Sequence, residues 1–296
     1  MTGHFDADWL TLREPFDHAA RSISLARRLA DRLPTRRRLL DLGAGTGSLF
    51  RFLAPIIGRG QDWILVDADA ALLEDAFGRT AAWARRQGFA ATSPGDTLLV
   101  STPRGLWRIQ AVQRDLAISP SLRAKPGHDD VRLALPEADA MLCSALLDLV
   151  SLAWLGRLFD ALRVPFFACL TADGRDAWLP SHPIDTRVRA AFRRDQRRDK
   201  GFGPALGSAA PWVAMQALAA RGFVTASAPT DWHVPRTALR MQRALIEGTA
   251  DAARNARPSH AAAIADWQEA RLRQAMRARL AIRIGHRDIL AIPPGE

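Results

Sequence analysis

The sequence predicts an α/β protein, a mostly parallel sheet with helices packed on both faces. Three observations carry that expectation. Short apolar runs such as Leu39-Leu40-Asp41-Leu42 and Trp63-Ile64-Leu65-Val66 recur along the chain, with the length and apolar continuity of strands buried on both sides. Amphipathic stretches of helical length separate them, the alternation that builds parallel crossover units. The chain has 296 residues, 48% of them hydrophobic and 24% charged. A chain of that size buries roughly three-quarters of its unfolded surface, so one domain spanning 1–296 is expected.

A segment with Trp9, Leu12 and Phe16 leads into one amphipathic helix from Asp17 to Leu33, which Pro34 ends. Residues 1–34 thus read as an N-terminal helical cap. The first strand is Arg38–Leu42, followed by a glycine turn and a helix over Leu49–Ile57. The second strand, Trp63–Val66, precedes a helix over Ala70–Arg86, for which Asp69 is the expected N-cap. Thr97–Ser101 and Leu106–Val112 flank Thr102-Pro103-Arg104-Gly105 as a hairpin. Its second arm is the third core strand, ending near Asp115. The fourth strand is Ala138–Cys143 and the fifth Pro165–Leu170, with a helix between them.

Beyond the fifth strand the pattern loosens. Thr171–Pro183 reads as loop, Ile184–Arg198 as a basic helix, and Gly201-Phe202-Gly203-Pro204 with Gly207 as a flexible connection. A helix near Trp212–Arg221 leads to a sixth strand, Phe223–Ala228. Helices over Arg236–Arg254 and Ser259–Arg279 precede a terminal strand, Ile282–Ile292, that contains Gly285. Residues 173–212 and 235–280 are expected to be lid or substrate insertions.

The net charge is +10, lysine occurs only at Lys125 and Lys200, and tyrosine is absent. Two readings of this skew stand: an arginine- and alanine-rich composition set by a GC-rich coding sequence, or attraction to nucleic acid or an anionic substrate. The arginines are spread along the chain, which favours the first. The basic helix with Arg187, Arg189, Arg193, Arg194, Arg197, Arg198 and Lys200 also carries Asp185, Asp195 and Asp199, a mixture typical of a solvated face. The longest apolar run, Met141–Leu155, is broken by Asp148 and is shorter than the roughly 20 residues a membrane helix needs. The chain starts without a basic and then apolar leader. Cys143 and Cys169 are the only cysteines, too few for a disulfide framework or zinc spacing. The expectations are a cytoplasmic protein with no metal, no membrane and no nucleic-acid partner, and an open oligomeric state.

The informative segment is Asp41-Leu42-Gly43-Ala44-Gly45-Thr46-Gly47-Ser48, a buried strand running into a glycine-rich turn and a helix. Glycine lets backbone approach a ligand closely, and free N–H groups at a helix start favour polar or anionic groups. The dinucleotide fingerprint G-x-G-x-x-G/A would place its third small residue at position 48. Here the third glycine is Gly47, position 48 is Ser, and Asp41 stands two places before the first glycine. Both departures count against a nicotinamide cofactor.

These residues resemble the class I S-adenosylmethionine (SAM) methyltransferase family, whose first motif is a strand ending in D/E-x-G-x-G-x-G. The resemblance continues in order along the chain. Val66-Asp67-Ala68-Asp69 ends the second strand, where the family places a carboxylate on the ribose hydroxyls. Arg114-Asp115-Leu116 ends the third, where the family often has an acid near the adenine amino group. Asp139-Ala140-Met141-Leu142-Cys143-Ser144-Ala145 resembles the fourth motif, with Ser144 and Ala145 beside the methionine moiety. The match runs from about Arg38 to Thr171 and recurs at the last strands. It implies a three-layer α/β/α sandwich with a Rossmann-like sheet of seven mostly parallel strands, the last antiparallel. It also implies SAM as cofactor, held by Asp41, Gly43, Ala44, Gly45, Gly47, Asp67, Ala68, Asp115, Ser144 and Ala145. Arg21 reads either as a partner of the SAM carboxylate or as a surface helix charge. Asp41 either contacts the amino-acid end through water or only orients the turn.

Methyl transfer from a sulfonium depends mainly on in-line positioning and, where the acceptor is protonated, on a base. The acceptor site is expected beyond the strand C-termini, next to the turn. His182 and His233 are the candidate bases, in Trp- and Pro-containing loops, and Asp148, Trp178, Trp212 and Trp232 the candidate substrate contacts. The place after the fourth strand reads Cys-Ser-Ala-Leu, not the Asn/Asp-Pro-Pro-aromatic motif of amino methylation. Leu142 replaces the proline of RNA cytosine methyltransferases, so Cys143 and Cys169 read as strand packing. A small-molecule methyl acceptor is the expected partner. RNA or protein methylation, or a SAM-binding module without turnover, are the rival readings.

Overall fold

A computed structural model describes residues 6–35, 37–117 and 135–295. Residues 1–5 of the expected N-terminal cap lie outside that range. In chain order the strands are β1 (Arg38–Leu42), β2 (Gln61–Asp67), β3 (Ala90–Thr92), β4 (Thr97–Thr102), β5 (Gly105–Gln113), β6 (Ala140–Ser144), β7 (Phe166–Leu179), β8 (Val224–Pro229), β9 (Trp232–Val234) and β10 (Ala281–Ile292). The helices are α1 (Ala7–Ala20), α2 (Ile23–Ala30), α3 (Ser48–Ile57), α4 (Ala70–Arg86), α5 (Leu152–Ala161), α6 (Asp185–Gln196), α7 (Ala210–Ala219), α8 (Leu239–Ala256) and α9 (Ala261–Met276).

The strands form one sheet in the order β3-β4-β5-β2-β1-β6-β7-β10-β8, with β9 on β10. From β5 to β7 neighbouring strands are parallel; β10 runs antiparallel to β7 and β8. The seven expected strands are β5, β2, β1, β6, β7, β10 and β8, with the terminal one antiparallel as anticipated. The sheet nonetheless has ten strands, a correction to the expected seven. β4 pairs with β5 as the hairpin arm, β3 adds beyond it, and both cover an otherwise open edge.

Side-chain alternation divides the core between two faces. Leu39 and Leu65 join Phe50, Trp63 and Trp107 under α2, α3 and α4, while Leu40, Ile64 and Val66 join Met141, Trp154 and Phe166 under α5 and α7. A third cluster, with Trp178, Val188, Ile246, Trp267 and Ile282, gathers the outer half of β7, α6, α8, α9 and β10, and Trp9, Leu12 and Phe16 of α1 pack on it. Its residues on α6, α8 and α9 fall within 173–212 and 235–280. Among the described residues no helix is long and apolar enough to cross a membrane.

Two elements depart from the sequence reading. The single helix over Asp17–Leu33 is two helices, broken at Arg21, whose ψ of 142° is extended. The break has a cause: Ser22 donates its backbone N–H to Asp288 at 2.8 Å and caps α2 through its own hydroxyl. The expected loop Thr171–Pro183 is strand as far as Leu179, because β10 pairs with it at Thr171 and Ala172 and again from Asp176 to Leu179, on either side of a bulge. Its polar, glycine-containing sequence hides a strand that only distant pairing reveals. Gly201 and Gly203 of the expected flexible connection donate backbone N–H groups to Asp199, and Phe202 packs edge-on against Trp154 at 5.5 Å.

Candidate functional site

The C-terminal ends of β1, β2 and β6 meet at the glycine turn. Gly43, Gly45 and Gly47 all have positive φ, between 52° and 78°, a region that costs an L side chain about 1–2 kcal/mol. At Gly45 an added Cβ would also lie 3.4 Å from Leu10 of α1. The N–H groups of Gly43 and Ala44 both donate to the Val66 carbonyl, at 2.8 and 3.0 Å, seating the turn on β2. The Asp67 carboxylate accepts from the N–H of Gly45 at 2.8 Å and of Asp69 at 3.0 Å. Burial raises its pKa. Asp69 caps α4 through Ala71 and Leu72, as expected.

Asp41 lies beneath the turn, 1% exposed, and neither of its carboxylate oxygens has a hydrogen-bond partner. Desolvation pushes its pKa up to about 8; the Asp67 charge adds to the shift and Arg21 opposes it. Arg21, itself buried, donates to the Ser48 hydroxyl at 3.1 Å and the Ser144 hydroxyl at 3.0 Å, bridging the start of α3 to the end of β6. α1 is clamped over this region by Glu14 on Arg51, at 2.7 Å on both oxygens. Ala68 offers its carbonyl to Gln113, and Asp115, exposed past the end of β5, accepts from the Ala117 N–H. Every residue expected to hold the cofactor therefore lies at one end of the parallel strands or, for Arg21, reaches it.

A cavity of about 220 Å³ opens under α1, and of the residues expected to hold the cofactor Ala145, just past β6, lines it. Of the expected substrate contacts, Asp148, Trp178 and Trp232 line it. Trp212 does not: it is 49% exposed, with the Arg287 guanidinium over its ring. Neither expected base lines it. His233 is exposed on β9, and His182 stands before α6, its backbone N–H given to Asp185.

The sequence reading missed Trp9, Arg13, Trp267 and His286, all in the wall. His286 is 5% exposed, with Nδ1 unpartnered; burial, aided by Arg13, lowers its pKa to about 3, so it is neutral. The available signal was Gly285. A glycine inside a strand marks a bulge or a close approach. The β10 register shifts between Ile284 and His286, and an added Cβ on Gly285 would meet the Arg175 carbonyl at 2.5 Å.

The wall repeats one unit three times. The indole N–H of Trp232 donates to Asp17, that of Trp178 to Asp176 and that of Trp267 to Asp185. Each carboxylate in turn pairs with an arginine: Arg13, Arg189 and Arg271 respectively. Arg189 and Arg193 of the basic helix both pair with Asp176, so that helix is partly a cavity wall. Cys143 and Cys169 are buried, and desolvation pushes both thiols up, which suits strand packing. Among the described residues no group of side chains has a metal-binding arrangement.

No protein-family model matches the sequence, and no curated protein matches it. Solved structures do. The chain is similar to a SAM-dependent methyltransferase from Geobacter sulfurreducens in complex with S-adenosyl-L-homocysteine, with 15% identity and a TM-score of 0.43 over 100% of both chains. A SAM-dependent methyltransferase from Thiobacillus denitrificans, also in complex with S-adenosyl-L-homocysteine, is similar at 14% identity and TM-score 0.43 over 98% of this chain and 100% of that one. A cyclopropane synthase from Mycobacterium tuberculosis is similar at 11% identity and TM-score 0.42 over 91% of this chain and 82% of that one. By its own strand order the chain is a Rossmann-like α/β/α protein whose parallel strands end at the glycine turn.

Proposed function

We propose that this protein transfers a methyl group from SAM to a small molecule held in the cavity. The observation that carries the reading is the pairing of the left-handed glycine turn with two carboxylates, Asp67 bonded to the turn and Asp41 buried beneath it with both oxygens unpartnered. Orphaned carboxylate oxygens are costly unless a donor meets them. Beside Arg21 they fit the ammonium and carboxylate of an amino-acid moiety.

In this reading Asp67 accepts from the ribose hydroxyls while its bonds to Gly45 and Asp69 hold it in place. Asp41 faces the ammonium, and Arg21, fixed by Ser48 and Ser144, faces the carboxylate. The bound cofactor supplies a methyl group made electrophilic by its sulfonium. The chain's remaining work is to orient the acceptor and exclude water, which α1 does from above the turn. The cavity, about 220 Å³, is below the range of roughly 300–1,000 Å³ common for drug-sized ligands. That size favours a small molecule over RNA or protein.

Calorimetric titration with S-adenosylhomocysteine tests the cofactor, with a Kd of micromolar order expected (about −8 kcal/mol). Absence of both heat and thermal shift at saturating ligand overturns the reading. Methyl-labelled SAM with a cell extract tests the acceptor: label is expected in the low-mass fraction, and label confined to RNA or protein would favour the rival.

A further inference from the structure

We propose that the cavity takes a small, flat acceptor bearing an O–H or N–H group, and that Asp148 is the catalytic residue that receives its proton. This rests on the methyltransferase reading above. The position is built with care. Ala145 at the end of β6 and Leu170 within β7 both hold left-handed backbone, with φ of 53° and 54°, and both line the cavity. Strained non-glycine backbone of this kind clusters at functional sites. The Asp148 carbonyl accepts from Gly207, and the Val150 carbonyl accepts from Leu206. Asp148 thus stands three residues beyond Ala145, the expected cofactor contact that lines the cavity, and lines it too.

Charge accounting singles it out. The lining arginines Arg13, Arg175, Arg189 and Arg193 are each paired with an aspartate. Asp176 and Asp185 hold an arginine and an indole each. Asp148 has one oxygen that is buried and without any hydrogen-bond partner. A carboxylate so placed favours a ligand that donates a hydrogen and repels one that brings its own negative charge. Flatness follows from the indoles of Trp9, Trp178, Trp232 and Trp267 in the walls. His286, neutral and with Nδ1 free, offers a second hydrogen-bonding atom.

The step balances. The acceptor heteroatom bonds to the methyl carbon, the electron pair of the methyl–sulfur bond goes to sulfur, and the proton passes to the Asp148 carboxylate. Desolvation lifts its pKa to about 6, opposed by backbone N–H groups and by Arg13, so it is ionised at neutral pH and remains basic enough to work. The charged and titratable groups that share the cavity with it are Arg13 on α1, Arg175 and Asp176 on β7, Asp185, Arg189 and Arg193 on α6 and His286 on β10, and Cys143 on β6 feels its charge.

The test uses three probes of one shape, 2-naphthol, 2-methoxynaphthalene and 2-naphthoate, titrated into the full chain by ligand-observed NMR. At pH 8 the wild-type protein is expected to prefer 2-naphthol over the methyl ether by about tenfold or more and to reject the carboxylate. The preference is expected to fade as pH falls through about 6. In Asp148→Asn it should shrink to within about twofold and lose its pH dependence, with S-adenosylhomocysteine affinity retained. Equal affinity for all three probes in the wild-type protein overturns the proposal without need of a variant. So does an Asp148→Asn protein that keeps the preference. A wild-type protein that shows the probe preference but does not bind S-adenosylhomocysteine overturns the methyltransferase reading instead.

Discussion

The glycine turn and the adjoining cavity share one end of the sheet but are assembled differently. In the turn, the decisive bond joins Asp67 to Gly45, 22 residues apart, and its framework is three neighbouring parallel strands. In the cavity, Trp232 is fixed by Asp17, 215 residues away, and the α1–α2 break by Asp288, 266 residues from Ser22. Local chemistry builds the first and long-range closure the second. The lesson is that a site of contiguous backbone can be read from order and spacing, whereas a site of converging side chains requires the fold.

The sharpest way to break that contrast is Asp288, which ties the α1–α2 break to β7 and to Thr230. It is fully buried and accepts from the N–H groups of Leu170 and Ser22 and from the Thr230 hydroxyl. Asp288→Ala strands three donors at about 1–3 kcal/mol each, so urea denaturation should show a loss of about 3–5 kcal/mol. A loss under about 1 kcal/mol would mean that the α1–α2 break, β7 and Thr230 are held together by packing alone.

A second prediction concerns protons at the turn. With a folded pKa near 8 against about 3.9 unfolded, Asp41 holds a proton in the folded protein that the unfolded chain releases. Its contribution to stability is therefore full below about pH 4 and declines as pH rises toward 8. Arrival of an ammonium group should discharge that proton. Titrations of S-adenosylhomocysteine in buffers of different ionisation enthalpy should show release of about 0.9 proton at pH 7, falling toward zero above pH 9. Asp41→Asn should abolish the release. No proton release in the wild-type protein would leave Asp41 as a scaffold of the turn.

The smallest expected effect sharpens the cavity side. His182 and His233 lie outside the wall, so the Gln variant of each should keep turnover within about threefold. A loss of about 10²-fold in either would restore it as the base.

The same contrast explains what the sequence yielded. The strands β1, β2 and β6, the turn and the Asp69 cap were legible because propensity and spacing act there over a few residues. The helix break at Arg21 was not, since its cause is a carboxylate on the last strand. Thr171–Leu179 looked like loop because its strand character comes from β10. His286 was missed because nothing local distinguishes it except Gly285 before it, whereas Trp178 and Trp232 were found by residue type alone. Trp212, chosen on the same ground, faces solvent.

Paired variants test most directly the proposed role of Asp67 in holding the ribose of SAM. Charge-assisted hydrogen bonds are worth about 1.5–3 kcal/mol each. Asp67→Ala should thus weaken S-adenosylhomocysteine binding by about 2–4 kcal/mol, roughly 30- to 1,000-fold. Asp69→Ala, which removes only the α4 cap, should cost about 1 kcal/mol of stability and leave affinity nearly intact. Calorimetric titration beside a melting curve separates the two. An Asp67→Ala protein that binds within about threefold of the wild type contradicts the account, as does loss of binding in Asp69→Ala instead.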